Sequence, residues 1–335
     1  MMRTRRSLAA TASGLALATA AFLTPAAPAS AQSEPLTVGM GDIASVESLN
    51  LLIAMARAGE RGVPMELTFF NSEDVAVQAV VGGQADIGVG APYAFIQNSG
   101  APVRLFYRMS TLLFFPVVDS EVYSGWDDLD GQEVTVHSRG SGTEALMRLM
   151  EQIQGIEYSN MSYVPGSEVR AGAMLNDTID ATIVDAAAFR LLQEEGGDRF
   201  QRLPVEGVDA TDEALYTSTA LLEERHDDLV VFAEELLRTW RDIAEDPSIV
   251  AELRERYDLL PDLPEAAAAD ITPYYTNAVE NGVYPLDGGS PENVRADLEF
   301  LAAAGQVEAP GDDFEPSAYW DFGPLRAARA NLGIE

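Results

Sequence analysis

Short apolar runs alternate with amphipathic helical patterns twice along this chain, and that alternation leaves few folds open. The first series runs LTVGM (36–40), SVESLNLLIAMARAG (45–59), MELTFF (65–70), EDVAVQAVVGG (73–83), DIGVG (86–90) and PYAFIQNSG (92–100). The short runs read as strands; the longer ones, with apolar residues three and four apart and glycine at the end, read as helices. Strands and helices at this spacing predict right-handed crossovers and a parallel sheet, an α/β class. VRLFYRMS (103–110) and LLFFPVVDS (112–120) follow closely and suggest a crossing between lobes. A second series then begins: EVTVHS, SGTEALMRLMEQI, MSYVPG, EVRAGAMLND, DATIVDA and AFRLLQEEG. Beyond RFQRLPV the chain turns mainly helical, with Leu222, Leu229, Phe232, Leu236, Leu237, Trp240 and Ile243 at helical spacing.

Two lobes joined by a double crossing divide the sequence into 32–113 with 218–335, and 114–217, with hinges near 112–116 and 203–219. Residues 1–31 form a separate piece. Three arginines, an uncharged apolar run from Ser7 to Phe22 and Ala29-Ser30-Ala31 read as a cleavable secretory signal, and Thr4-Arg5-Arg6-Ser7-Leu8 loosely fits a twin-arginine route. The expected product is periplasmic, with no insertion into the membrane. Losing the leader removes three arginines and no acid, taking the formal charge from −33 to −36. Such acidity disfavours nucleic acid and anionic membranes as partners and suits a salty environment.

In open α/β sheets, ligands sit beyond the carboxyl ends of strands. The loops in that position are Gly41-Asp42-Ile43, Asn71-Ser72, Ala91-Pro92-Tyr93, Ser138 to Thr143, Pro165-Gly166-Ser167 and Asp185-Ala186. Enzymatic readings of HSRGSGT (137–143) fail on residue chemistry. A phosphate-binding GxxxxGK[ST] loop needs a lysine, and the chain has none. A nucleophile elbow needs G-x-S-x-G, which Arg139-Gly140-Ser141-Gly142 does not supply. A serine triad needs a histidine, and only His137 and His226 exist; with cysteine absent, metal or acid–base work falls to carboxylates, and no spacing among the 54 singles out a pair. No cofactor or metal is expected. Anchoring chemistry remains: Ser138, Arg139, Gly140, Ser141, Gly142 and Thr143 open a helix whose free N–H groups favour a negative or polar group. Tyr93, directly after the Ala91-Pro92 turn, is the aromatic placed best for a planar ligand.

VVGGQADIGVGAPYAFIQNSGAPVRLFYRMS resembles the first-lobe signature of ABC-transporter solute-binding proteins of the nitrate, sulfonate, taurine and thiamine-pyrimidine-precursor group. FFPVVDSEVYSGWDDLDGQEVTVHSRGSGTEALMRLM and IDATIVDAAAFRLL are similar to that family's second-lobe strands and Gly-Ser loop, and SPENVRADLEFLAAAGQVEAP to its closing helix. The resemblance implies a type II periplasmic binding fold of two Rossmann-like lobes, closing on a small-molecule solute and delivering it, as a monomer, to a permease and its ATPase. It places the ligand-facing loops at Gly41-Asp42, Asn71-Ser72, Ala91-Pro92-Tyr93, Gly140-Ser141-Gly142 and Asp185. A tripartite ATP-independent importer or a sensory receptor are the alternatives in partner, and an exported enzyme the alternative in class. Related pyrimidine synthases rely on a cysteine-rich motif and a lysine that this chain lacks. Two solute classes fit: a planar heteroaromatic, through Tyr93, and an alkyl sulfonate, taurine or nitrate, through Ser141 and Arg139.

Overall fold

The computed structural model describes residues 34–205, 208 and 210–334, so the leader expected at 1–31 lies outside them. Among the described residues, ten strands form two five-stranded sheets. They are β1 (Leu36–Met40), β2 (Met65–Phe69), β3 (Ile87–Gly90), β4 (Val103–Arg108), β5 (Phe115–Asp119), β6 (Glu133–Val136), β7 (Asn160–Tyr163), β8 (Ala181–Val184), β9 (Phe200–Arg202) and β10 (Ala214–Ser218). The first sheet has the order β2-β1-β3-β10-β4 and the second β7-β6-β8-β5-β9.

Neither sheet is wholly parallel, contrary to what the alternation alone predicts. β1 runs parallel to β2 and β3, and β6 runs parallel to β7 and β8, each pair linked through a helix. β10 is antiparallel to β3 and β4, and β5 is antiparallel to β8 and β9. The exceptions share one cause. β5 and β10 follow directly on a passage from the other sheet, so no strand-helix-strand crossover fixes their direction.

The two passages run side by side. Thr111 bridges Thr211 in antiparallel fashion, Leu112 N–H donates to the Ala210 carbonyl at 2.8 Å, and Met109 N–H to the Glu213 carbonyl at 2.8 Å. β10 lies in the first sheet, so the return passage ends before Ala214, upstream of the 217/218 division.

Helices pack over the first sheet and hold this region in place. Leu229, Phe232, Leu236, Leu237, Trp240 and Ile243 of the helix His226–Glu245 are buried, as their spacing predicts, against Leu49–Glu60 and the C-terminal Gly323–Leu332. Trp240 turns edge-on to Tyr107 at 6.0 Å and Tyr284 at 5.8 Å, and its indole N–H donates to the Met109 carbonyl at 2.7 Å. It thereby fixes the start of the outgoing passage. Asp297, on the helix Pro291–Ala303, does the same for the return: it accepts from Thr211 N–H at 2.7 Å and Tyr93 O–H at 2.6 Å. Trp240→Phe leaves the Met109 carbonyl without its donor and a void beside it, and is expected to cost about 2 kcal/mol of unfolding free energy in urea titration.

Candidate functional site

Parallel strands put their outgoing loops on one edge, and here the loop sets of the two sheets meet. Gly41 ends β1 against the start of the helix Glu73–Val81. A Cβ there would lie 2.3 Å from the Glu73 backbone nitrogen, so only glycine permits the approach. From the other sheet, His137 Nε2 reaches the Gly41 carbonyl at 3.0 Å. Burial, with Arg170 adding repulsion, pulls the His137 pKa down to about 4. The imidazole is therefore neutral near pH 7, and it donates from Nε2. Nearby, Asp42 accepts from its neighbour Ile43 N–H at 2.7 Å and is stabilised by the Gly166 N–H across the interface.

The 138–143 loop opens a helix as expected; several of its donors are occupied, while the Ser138 hydroxyl is buried without a partner. Ser141 caps the helix Gly142–Gln154 by accepting from Glu144 N–H, and its own hydroxyl donates to the Ser138 carbonyl at 2.8 Å. Thr143 Oγ1 lies 2.8 Å from Ser141 Oγ and accepts from His137 N–H. The Gly140 N–H is bonded to Glu144 Oε2 at 2.6 Å. A carboxylate of the chain itself thus sits where an oxyanion was expected. The signal was present in Ser141-Gly142-Thr143-Glu144, the S-x-x-E spacing of a capped helix start. Arg139 is exposed and stacks on the Tyr163 ring, 5.0 Å from its centroid, while Tyr163 O–H donates to Glu144 at 2.7 Å.

Tyr93 stands at the expected turn but points into the core, which corrects its assignment to a ligand face. It is fully buried, and its hydroxyl donates to Asp297 and accepts from Trp320 Nε1 at 2.7 Å. Pro92 is buried, Ala91 and Ser72 half-buried, and Asn71 exposed. Ser72 ends its contacts locally, donating to Asp74. Asp185 caps the helix Ala186–Gly196 by accepting from Ala188 N–H at 2.7 Å.

Reasoning from loops missed most of the charge in the interface. Desolvation raises the pKa of Asp42 and Asp185 to about 6 and of Asp212 to about 7. It raises Glu47, Glu73 and Glu213 as well, and mutual repulsion adds to each. Arg170 is the buried cation beside them, yet its donors go to the Ile183 and Val164 carbonyls and to Ser167. A cavity of about 30 Å³ lies at the passages, lined by Glu47, Asp185, Asp212, Tyr274, Phe114 and Asn277 among others. Phe114 is half-buried at this wall.

These shifts set a pH dependence. Unfolded carboxyls titrate near 4, so a group raised in the folded state favours folding fully below about pH 4 and loses that contribution as pH rises to about 6 or 7. Acidification from about pH 8 to about pH 5 should therefore raise Tm in calorimetry at constant high salt. Asp212→Asn should stabilise at pH 8 by about 1 kcal/mol or more and flatten the profile; a Tm that falls on acidification over this range contradicts the assignment.

A family model described as NMT1/THI5 like matches residues 59–249. Among solved structures, a protein of Bordetella bronchiseptica RB50 superposes with a TM-score of 0.70 at 20% identity, covering 89% of this chain and 98% of its own. The alkanesulfonate-binding protein SsuA from Xanthomonas axonopodis pv. citri, bound to MOPS, gives 0.63 at 16% identity, over 85% and 98%. The periplasmic nitrate-binding protein NrtA from Synechocystis PCC 6803 gives 0.66 at 13%, over 90% of both. These similarities show a shared periplasmic-binding-protein fold. Among curated proteins no sequence matches.

Proposed function

Since the chain belongs to the NMT1/THI5-like family, we propose that it is the extracytoplasmic solute-binding component of an ABC importer. It closes two lobes on a small organic solute, passes it unchanged to a membrane permease and works as a monomer. The observation that carries this reading is the meeting of two strand-end loop sets about a pair of antiparallel passages. His137 against Gly41, and Gly166 against Asp42, are contacts that exist only while the loop sets are together. The lobes in this reading are 34–111 with 212–334, and 114–205, turning about the paired residues Thr111 and Thr211. The fold shared with proteins named for sulfonate and nitrate binding supports the role. Among the described residues no helix is long and apolar enough to cross a membrane.

Binding shifts an open–closed equilibrium by the difference in affinity for the two forms. On this reading the approach of Gly142 to Leu112 and to the Asp212 carboxylate belongs to the closed form. A saturating solute should lower the radius of gyration in small-angle scattering and raise Tm together. A solute that raises Tm and leaves the scattering unchanged contradicts lobe closure. Tyr93→Phe separates core from site: it should cost about 1–3 kcal/mol of stability, because Asp297 loses a donor, with the solute Kd unchanged in calorimetric titration.

A further inference from the structure

We infer that the chain carries a second ligand site, beside the passages between the sheets, that takes an amphiphilic carboxylate: its alkyl chain in an apolar cavity and its acid head on Arg202. The inference goes beyond the solute-binding reading and does not depend on it. The cavity measures about 320 Å³. Leu112 lines it from the outgoing passage, Phe115 from the start of β5, Leu203 and Val205 from the return passage, and Leu146 from the helix Gly142–Gln154. Protein interiors leave few voids larger than a water molecule, and an apolar cavity of about 150 Å³ already takes benzene. At about 30 Å³ for a water-sized group, the space here suits roughly ten non-hydrogen atoms.

Arg202, the charged residue of that lining, is an independent observation that fixes the chemistry of the head. It ends β9, and its guanidinium lies 4.4 Å from the Phe115 ring centroid and 5.9 Å from that of Phe189. The two rings hold its flat face, while its N–H groups engage no carboxylate or carbonyl of the described residues. Arg199, earlier on the same stretch, is by contrast paired with both Asp119 and Asp177. The chain has 54 acidic residues against 21 basic ones, so an arginine without an acid partner stands out. Stacked beside an apolar cavity with its N–H fork unused, it is a preformed seat for a planar anion, and a carboxylate matches that fork with two parallel hydrogen bonds.

The walls are held by the chain itself. Leu203 N–H donates to the Pro116 carbonyl at 2.8 Å, and the Trp126 indole N–H donates to the Pro204 carbonyl at 3.0 Å. A ligand therefore enters a shape already formed, which lowers the entropy cost of binding. Leu113 and Phe114 line both this cavity and the smaller one of about 30 Å³. On the far side of that partition stand Glu47, Asp185 and Asp212, which repel an acid head; on the near side Arg202 attracts it. An alcohol of the same length keeps the apolar contact and lacks the charge-assisted pair, so it separates the two contributions.

The test titrates octanoate, octan-1-ol and acetate into the protein by calorimetry at about pH 8, where a carboxylic acid is ionised, at fixed high salt and with Tm read alongside. Octanoate should saturate one site and raise Tm, octan-1-ol should bind about tenfold or more weakly, and acetate should be inert. Arg202→Gln should bring octanoate down to the affinity of the alcohol and leave the alcohol within about twofold. Val205→Trp should fill the cavity and abolish binding of both. Arg202 is exposed and Val205 half-buried, so both variants are expected to fold, which their ligand-free Tm checks. Glu206→Gln, which removes an acid further along the return passage, should leave octanoate binding unchanged. Equal affinity for acid and alcohol, or an Arg202→Gln protein that still prefers the acid, overturns the inference. So does octanoate binding that survives Val205→Trp or appears only in Glu206→Gln, and so does no binding at all. None of these outcomes bears on lobe closure, which scattering with a saturating solute reads separately.

Discussion

Bringing the two loop sets together confines carboxylates that water would otherwise separate. Asp42 and Glu73 come from the first sheet, Asp185 from the second, and Asp212 and Glu213 from the return passage, and each repels others in the set. At neutral pH this opposes closure, because desolvation and repulsion act in the same direction. Closing therefore requires a proton or a positive group to enter with it. Arg170 offsets part of that charge, attracting Asp42 and Asp185 while its guanidinium stays hydrogen-bonded to the Ile183 and Val164 carbonyls.

The surroundings make this opposition mechanically useful. Trp240 and Asp297 pin the two passages to the helical layer of the first lobe, so the proposed closure would turn about the residues near Thr111 and Thr211. The two parts meet through His137 on Gly41, Ile43 against Gly166, the Arg190 to Asp270 ion pair, and apolar packing of Ala145 and Leu149 of the helix Gly142–Gln154 into the core beside the helix Pro291–Ala303. In the closure proposed above, a hinge of this kind with a repulsive mouth favours the open form until a proton or a solute offsets part of the charge.

Much of the fold was legible in the sequence because strands and helices here differ sharply in length and period. β1, β2 and β3 fall where the apolar runs placed them to within a residue. β10 was not legible: Ala214 to Tyr216 are buried and the strand sits between two others, so no alternation of polar and apolar faces marks it. The loops of the site were also legible, since they follow strand ends. Side-chain direction was not. Tyr93 lies one residue beyond a strand-end turn and still points into the core, and Ser141 spends its hydroxyl on its own helix. Glu47, Asp212 and Glu213 could not be singled out among 54 acidic residues, because only the crossing of the chain between sheets brings them together.

Because the chain has no cysteine, a single pair of spin labels can be placed without background. Val75, on the helix Glu73–Val81, and Val169, on the helix Ser167–Leu175, are both exposed and lie on opposite lobes. Pulsed dipolar spectroscopy on a Val75→Cys, Val169→Cys variant, with no solute and constant salt, reads the separation directly. If carboxylate charge holds the mouth open, the short-distance population grows as pH falls from about 8 to about 5, the range in which the raised carboxyls take up protons. A distance distribution that is the same at both pH values would contradict it.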